Sequence, residues 1–180
     1  MFEVEYKYFL RERELFLNSL KELNIELDAP VIQEDIIFVH KDTEGFNIIK
    51  GTPVIRIRNT KDYSVLTLKK RVDGANSIEH ETVIQNPEEM TKILELLELK
   101  KVVEVSKTRR KSLFGGVTIC YDQVRGLGDY IELEVVVSTQ EEVDIVIQKI
   151  QNLAKELGLS ENDIEKRKYD TLVFDKTSEV

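Results

Sequence analysis

The sequence predicts an α+β fold in which about eight antiparallel strands form a sheet and helices cover its apolar faces. Three observations predict it. Short segments alternate apolar and charged residues with period two, the pattern of half-buried antiparallel strands. Turn residues at Lys61-Asp62, Asp73-Gly74 and Gly115-Gly116 separate neighbouring segments at hairpin distances. Three longer stretches instead repeat their apolar residues at helical spacing.

The first strand is Glu3-Val4-Glu5-Tyr6-Lys7, where Glu3, Glu5 and Lys7 share one face and Phe2, Val4, Tyr6 and Tyr8 the other. Leu15, Phe16, Leu20 and Leu23 then mark a helix ending near Asn24, with Pro30 in the loop beyond it. Strands are expected at 33–39, 54–59, 63–71 and 76–84, a meander of hairpins. The middle helix has Asn86 to cap it, Pro87 at its first position, and Met90, Ile93, Leu94 and Leu97 on one face. Strand signals resume at 101–111, turn at Gly115-Gly116, return through 117–122 and recur at 130–137. Thr139 and Glu142 form a capping-box pattern ahead of Val143, Val146, Ile147, Ile150, Leu153 and Leu157, and Gly158 stops that helix. A short helix from Ser160 and a last strand near 171–174 complete the reading.

With 180 residues and 41% hydrophobic content, the chain can bury one sizeable core, and no Pro/Gly/Ser-rich linker divides it. One domain spanning residues 1–180 is expected. A formal charge of -8 argues against wrapping duplex nucleic acid through a basic surface. Cys120 is a lone cysteine, and no apolar run approaches the roughly 20 residues that span a bilayer. The chain starts on a charged strand without a signal-peptide pattern, so a soluble cytoplasmic protein that binds no membrane is expected.

The charged alternation recurs in Arg56 and Arg58, in Thr67, Lys69 and Arg71, in Glu79 and Glu81, in Lys107, Arg109 and Lys111, and in Glu132 and Glu134. A sandwich and a barrel both fit the strand count. With helices on the apolar faces, the charged faces meet water if the sheet is open and line a lumen if it closes. Acids and bases occur there in similar numbers, so a lumen would need mutual pairing and a strongly charged ligand.

Glu3-x-Glu5-x-Lys7 resembles the ExExK signature of the CYTH superfamily, the triphosphate tunnel proteins, and the resemblance continues in order along the chain. Gln33-x-Asp35 followed by Phe38 is similar to that family's second strand. Val54-Ile55-Arg56-Ile57-Arg58 resembles its LRIR strand and Leu66-Thr67-Leu68-Lys69 its LTxK strand. Glu79-x-Glu81, Lys107-x-Arg109, Asp122-x-Val124 and the run from Leu127 to Glu134 follow. Ser77, Lys70-Arg71 and Ile37 depart from the pattern at positions that bear on the substrate.

The resemblance implies a closed eight-stranded antiparallel barrel, a tunnel that binds a triphosphate with Mg2+ or Mn2+. Glu3, Glu5, Glu132 and Glu134 match the family's metal-binding acids, and Lys7, Arg56, Arg58, Lys69, Lys107 and Arg109 its phosphate-binding bases. Glu3, Glu5 and Lys7 are the candidate catalytic residues. Elementary chemistry agrees: a hard cation takes carboxylate and phosphate oxygens, and guanidinium forks grip phosphate. The leading reading is a class IV adenylyl cyclase that converts ATP to cyclic AMP and pyrophosphate. The runner-up is a triphosphatase acting on inorganic triphosphate, thiamine triphosphate or a nucleotide. A third reading is a tunnel that only binds nucleotide or polyphosphate. Cyclase-like relatives also imply a homodimer. His40 and His80 are isolated and read as surface residues, Cys120 as a small buried hydrophobe, and Gly126 and Gly128 as turn residues.

Overall fold

A computed structural model describes residues 2–46, 52–71, 77–139 and 142–178. The elements in chain order are β1 (Phe2–Phe9), α1 (Arg13–Glu22), β2 (Val31–His40), β3 (Pro53–Asn59), β4 (Ser64–Arg71) and β5 (Ser77–Ile84). They continue with α2 (Pro87–Leu96), β6 (Leu99–Phe114), β7 (Val117–Val124), β8 (Gly128–Val137), α3 (Glu142–Glu156) and α4 (Tyr169–Ser178), with a 3-10 turn at Glu161–Asp163 before the last helix. The strands are hydrogen-bonded in the order β1-β8-β7-β6-β2-β3-β4-β5. The chain divides into two compact units, Met1–Val31 with Thr108–Arg167, and Ile32–Lys107 with Lys168–Val180.

In the first unit β1 lies antiparallel to β8, with Glu5 opposite Glu134 and Lys7 opposite Glu132, and β7 lies on the other side of β8 with Cys120 opposite Glu132. Period two therefore puts Tyr8, Ile119, Tyr121, Ile131 and Leu133 on one face. Phe16 and Leu20 of α1, Val146, Ile150 and Leu153 of α3, and Leu157 just past its end cover it. Most of these side chains are almost fully buried, and each contributes about 1.5–3 kcal/mol by leaving water. Gly158, at φ +73°, ends α3 as expected, and a Cβ there would come within 2.7 Å of Leu15 Cδ2.

The second unit repeats the plan on a smaller scale. Phe38, Ile57 and Ile84 of its strands pack with Leu94 of α2, flanked by Ile36, Ile55, Leu66 and Met90. Asn86 caps α2 as its position implied, its Oδ1 accepting from the Glu89 N–H at 3.0 Å, with Pro87 in the first turn.

Four expectations need correction or restriction. The apolar run at 171–174 lies inside α4, not in a strand. Thr-Leu-Val-Phe has strand propensity, but burial at Tyr169 and Leu172 follows the helical i, i+3 spacing, and the Thr177 hydroxyl donates to the Val173 carbonyl one turn back. Among the described residues the sheet is also not closed by hydrogen bonding, since β1 and β5 are its end strands. Alternation specifies which face is charged; it does not specify that two end strands meet. The Asp73-Gly74 turn lies outside the described residues, and the Thr139–Glu142 capping box runs across residues that are not described. Among the described residues no helix is long and apolar enough to cross a membrane.

Candidate active site

The charged residues of the first unit occupy the sheet face opposite its core, because they alternate with Tyr6, Tyr8, Ile131 and Leu133 along the same strands. Glu3, Glu5 and Glu134 come together there, each offering a carboxylate oxygen within 4.8 Å of the others. Two like charges at 4 Å repel by about 1 kcal/mol in water and about 4 kcal/mol near a protein surface. Such a trio favours a proton or a cation. The Glu5 carboxyl has its pKa pushed up to about 7, by burial first and then by the Glu132 charge, with Lys7 acting in the opposite direction and Glu3 and Glu134 adding smaller upward pushes.

Glu132 is not one of that trio and belongs to a buried pairing network beside it. Lys7 Nζ lies 3.4 Å from it and 3.9 Å from Glu5, and also donates to the Arg167 carbonyl at 3.1 Å. Arg109 donates through Nε to Asp122 at 2.6 Å and through Nη2 to both Asp122 and Glu132. Burial alone would lower the Arg109 pKa. The hydrogen bonds and charge of Asp122, with the charge of Glu132, outweigh burial and raise it, so the guanidinium is firmly charged. Asp122, fully buried, ties this arginine down. Lys111 Nζ lies 3.8 Å from Glu134 at the edge of the same face. Cys120 is buried as expected, and burial pushes its thiol up to about 12, which removes it as a nucleophile at neutral pH.

The second unit carries the other bases. Asp35 faces Arg58 across β2 and β3, and Arg56 faces Thr67, which in turn faces Glu81, across β3, β4 and β5. Arg58 grips Asp35 with a two-pronged fork, Nε to Oδ1 and Nη2 to Oδ2, both at 2.7 Å. Arg56 is held more loosely: its Nη2 donates to the Thr67 hydroxyl at 3.2 Å and to Glu81 at 3.4 Å. Its buried Nε has no hydrogen-bond partner among the described residues. Burial, then the Arg58 charge, lowers its pKa. Lys69 pairs with Glu79 at 2.8 Å, and the buried Lys107 ammonium lies 4.7 Å from the centre of the Tyr169 ring.

These faces are neither solvated nor sealed. Arg58 and Glu134 side chains are each 19% exposed, whereas Lys69 and Glu5 are 37% and 38% exposed. All ten residues singled out in the sequence therefore lie on charged strand faces, four acids and two bases in the first unit and four bases in the second. Asp35, Asp122, Thr67 and Tyr169 were not among them. Asp35 and Asp122 do stand inside the Gln33-x-Asp35 and Asp122-x-Val124 motifs, and Asp122 and Thr67 also share the charged alternation of their strands, so the sequence carried a signal for these three.

The residues fit a hard divalent cation. A partly exposed carboxylate trio with one member holding its proton to near neutrality is a donor set of oxygens short of positive charge. The orphaned Arg56 Nε likewise fits an anion.

The family model for the CYTH domain matches residues 1–169. Adenylate cyclase CyaB of Aeromonas hydrophila is 28% identical over 172 residues, which cover 95% of this chain and 88% of that protein. The PH1819 protein of Pyrococcus horikoshii OT3 has a similar structure, with a TM-score of 0.79 and 30% identity over 97% of this chain and 99% of its own. A Hippeastrum protein described as having a dominant triphosphatase activity shares the fold, with a TM-score of 0.65 at 18% identity over 98% of this chain and 96% of its own.

Proposed function

The chain belongs to the CYTH family, and from that premise we propose that it is a metal-dependent enzyme acting on a triphosphate, in the first instance an adenylyl cyclase that converts ATP to cyclic AMP and pyrophosphate. The observation that carries the reading is the trio Glu3, Glu5 and Glu134, gathered on one face by strand pairing. Those three would hold Mg2+ or Mn2+, with Glu132 behind them between Lys7 and Arg109. The bound cation would neutralise charge developing on the phosphoryl group and make a nearby hydroxyl more acidic.

The chain's own residues do the rest. Arg56, Arg58, Lys69 and Lys107 bind and orient the phosphate chain, and Lys7 and Arg109 add fixed positive charge beside the acids. Neither cyclisation nor hydrolysis requires a histidine, and His40 is a surface residue beside Asp42 and Glu98. In cyclisation the ribose 3′-hydroxyl attacks the α-phosphorus and pyrophosphate leaves; in hydrolysis water attacks the terminal phosphorus. The similarity to an adenylate cyclase over most of both chains supports the first. The fold shared with a protein of dominant triphosphatase activity keeps the second as the alternative.

Incubation with ATP, inorganic triphosphate and thiamine triphosphate, each with Mg2+ and with Mn2+, followed by chromatography of the products, tests the reading. Cyclic AMP with pyrophosphate is the expected outcome. Orthophosphate from inorganic or thiamine triphosphate would assign the hydrolase, and binding without turnover of any substrate would reduce the protein to a binding module.

A further inference from the structure

Two arginines of one strand, two residues apart on the same face, are held in different ways. Arg58 has its guanidinium plane fixed by both oxygens of Asp35, at 2.7 Å each, across adjacent strands that place the two residues in register. Arg56 rests on the Thr67 hydroxyl and on Glu81 at the long end of hydrogen-bonding distance. The Asp35 carboxylate is only 8% exposed, whereas the Glu81 carboxylate is 52% exposed. The first pair is a fixture and the second is exchangeable.

We infer that Asp35 is a positioning residue: it holds the Arg58 fork in the orientation that a triphosphate oxygen meets, while Arg56 is the arginine that turns onto the substrate. The inference rests on the triphosphate reading given above. The two bonds to Asp35 use two of the five guanidinium N–H groups, and because the group is planar and rigid they set the direction of all five. Orientation fixed before binding does not have to be gained during it. A second reading of the same pair has the opposite sign. If Asp35 merely neutralised Arg58, it would compete with the phosphate, and removing its charge would tighten binding.

The experiment therefore reads a sign. Binding of inorganic triphosphate is followed by calorimetry, and turnover of the substrate found above is measured as separate kcat and KM. Asp35→Asn keeps the shape and removes the charge. Asp35→Glu keeps the charge and moves it by one methylene, and it serves if the asparagine variant folds poorly. Either variant is expected to weaken triphosphate binding by at least about tenfold, with losses of about a hundredfold in kcat/KM when the fork shifts by an ångström. The loss should vanish when Arg58→Ala is already present, because Asp35 acts through that arginine; an equal loss in both backgrounds would overturn the inference in favour of a structural role. Unchanged or tighter binding in Asp35→Asn would also overturn it. Absence of triphosphate binding by the wild-type chain would instead remove the proposed function itself.

Discussion

At Glu5 the conflict within the acidic face becomes a measurable proton. Its pKa in the folded chain is about 7, above the ordinary 4.5, with burial as the main cause and the Glu132 charge next. Folding then favours the protonated form, so Glu5 contributes stability below pH about 4.5, and that contribution is lost as pH rises through about 7. In the presence of chelator, Glu5→Gln should raise the melting temperature relative to the parent above pH 7 and leave it unchanged near pH 4. Divalent cation should narrow the difference, and below pH 7 its binding should release a proton, seen as a buffer-dependent heat; a melting difference independent of pH would contradict the assignment. Asp122 makes the opposite case, a charge whose partners are already in place. Asp122→Ala removes two of the hydrogen bonds that hold the buried Arg109 and leaves it Glu132, and denaturant unfolding should show a loss at the lower end of about 3–5 kcal/mol. The ten candidate residues were legible because strand parity is a property of neighbouring sequence positions. Their keepers were not: that Asp35 holds Arg58, or Asp122 holds Arg109, depends on which strands pair and in what register, and no local spacing encodes that.

The elements were easiest to read where local chemistry and tertiary burial agree. Asn86-Pro87 announces α2 by its cap, and Asn86→Ala should cost about 1 kcal/mol in unfolding experiments, since the Glu89 N–H loses its acceptor. The two-residue turn at Gly115-Gly116, with φ of +56° and +77°, was equally plain. Local and tertiary signals diverge at 171–174. There four residues with strand propensity are drawn into a helix by Tyr169 and Leu172, buried one turn apart, and this burial is invisible in a window of four. The closed barrel, expected from the family resemblance, is met only as an eight-stranded antiparallel sheet whose end strands are not joined by hydrogen bonds among the described residues. Antiparallel alternation yields eight strands and their charged faces, but the sheet's ends are fixed by contacts far apart in sequence. Gly158→Ala tests how tightly α3 and α1 are matched. Both the positive φ and the 2.7 Å approach to Leu15 oppose a methyl group, so stability should fall, and an unchanged denaturation midpoint would show that Leu15 simply moves aside.

For the whole molecule, the formal charge of -8 sets the problem that its charged faces must solve. A triphosphate is itself strongly anionic, so long-range electrostatics oppose its approach, and attraction has to come from bases at contact distance or from a cation. The residues proposed for the two tasks lie in different compact units: the acids Glu3, Glu5 and Glu134 belong to one, and Arg56, Arg58, Lys69 and Lys107 to the other. If the acids serve the cation and these bases serve the phosphates, the two losses are separable. Glu134→Ala should abolish metal-dependent turnover yet leave inorganic triphosphate bound in the presence of chelator, since no base is removed. Arg58→Ala should weaken that chelator-insensitive binding by about 2–5 kcal/mol, through the lost contact to the phosphate and the repulsion of an Asp35 carboxylate that no longer has its counter-charge. Calorimetry with and without Mg2+ on both variants decides it. Should Glu134→Ala bind triphosphate as poorly without metal as Arg58→Ala does, acids and bases act as one inseparable network and the division of roles fails.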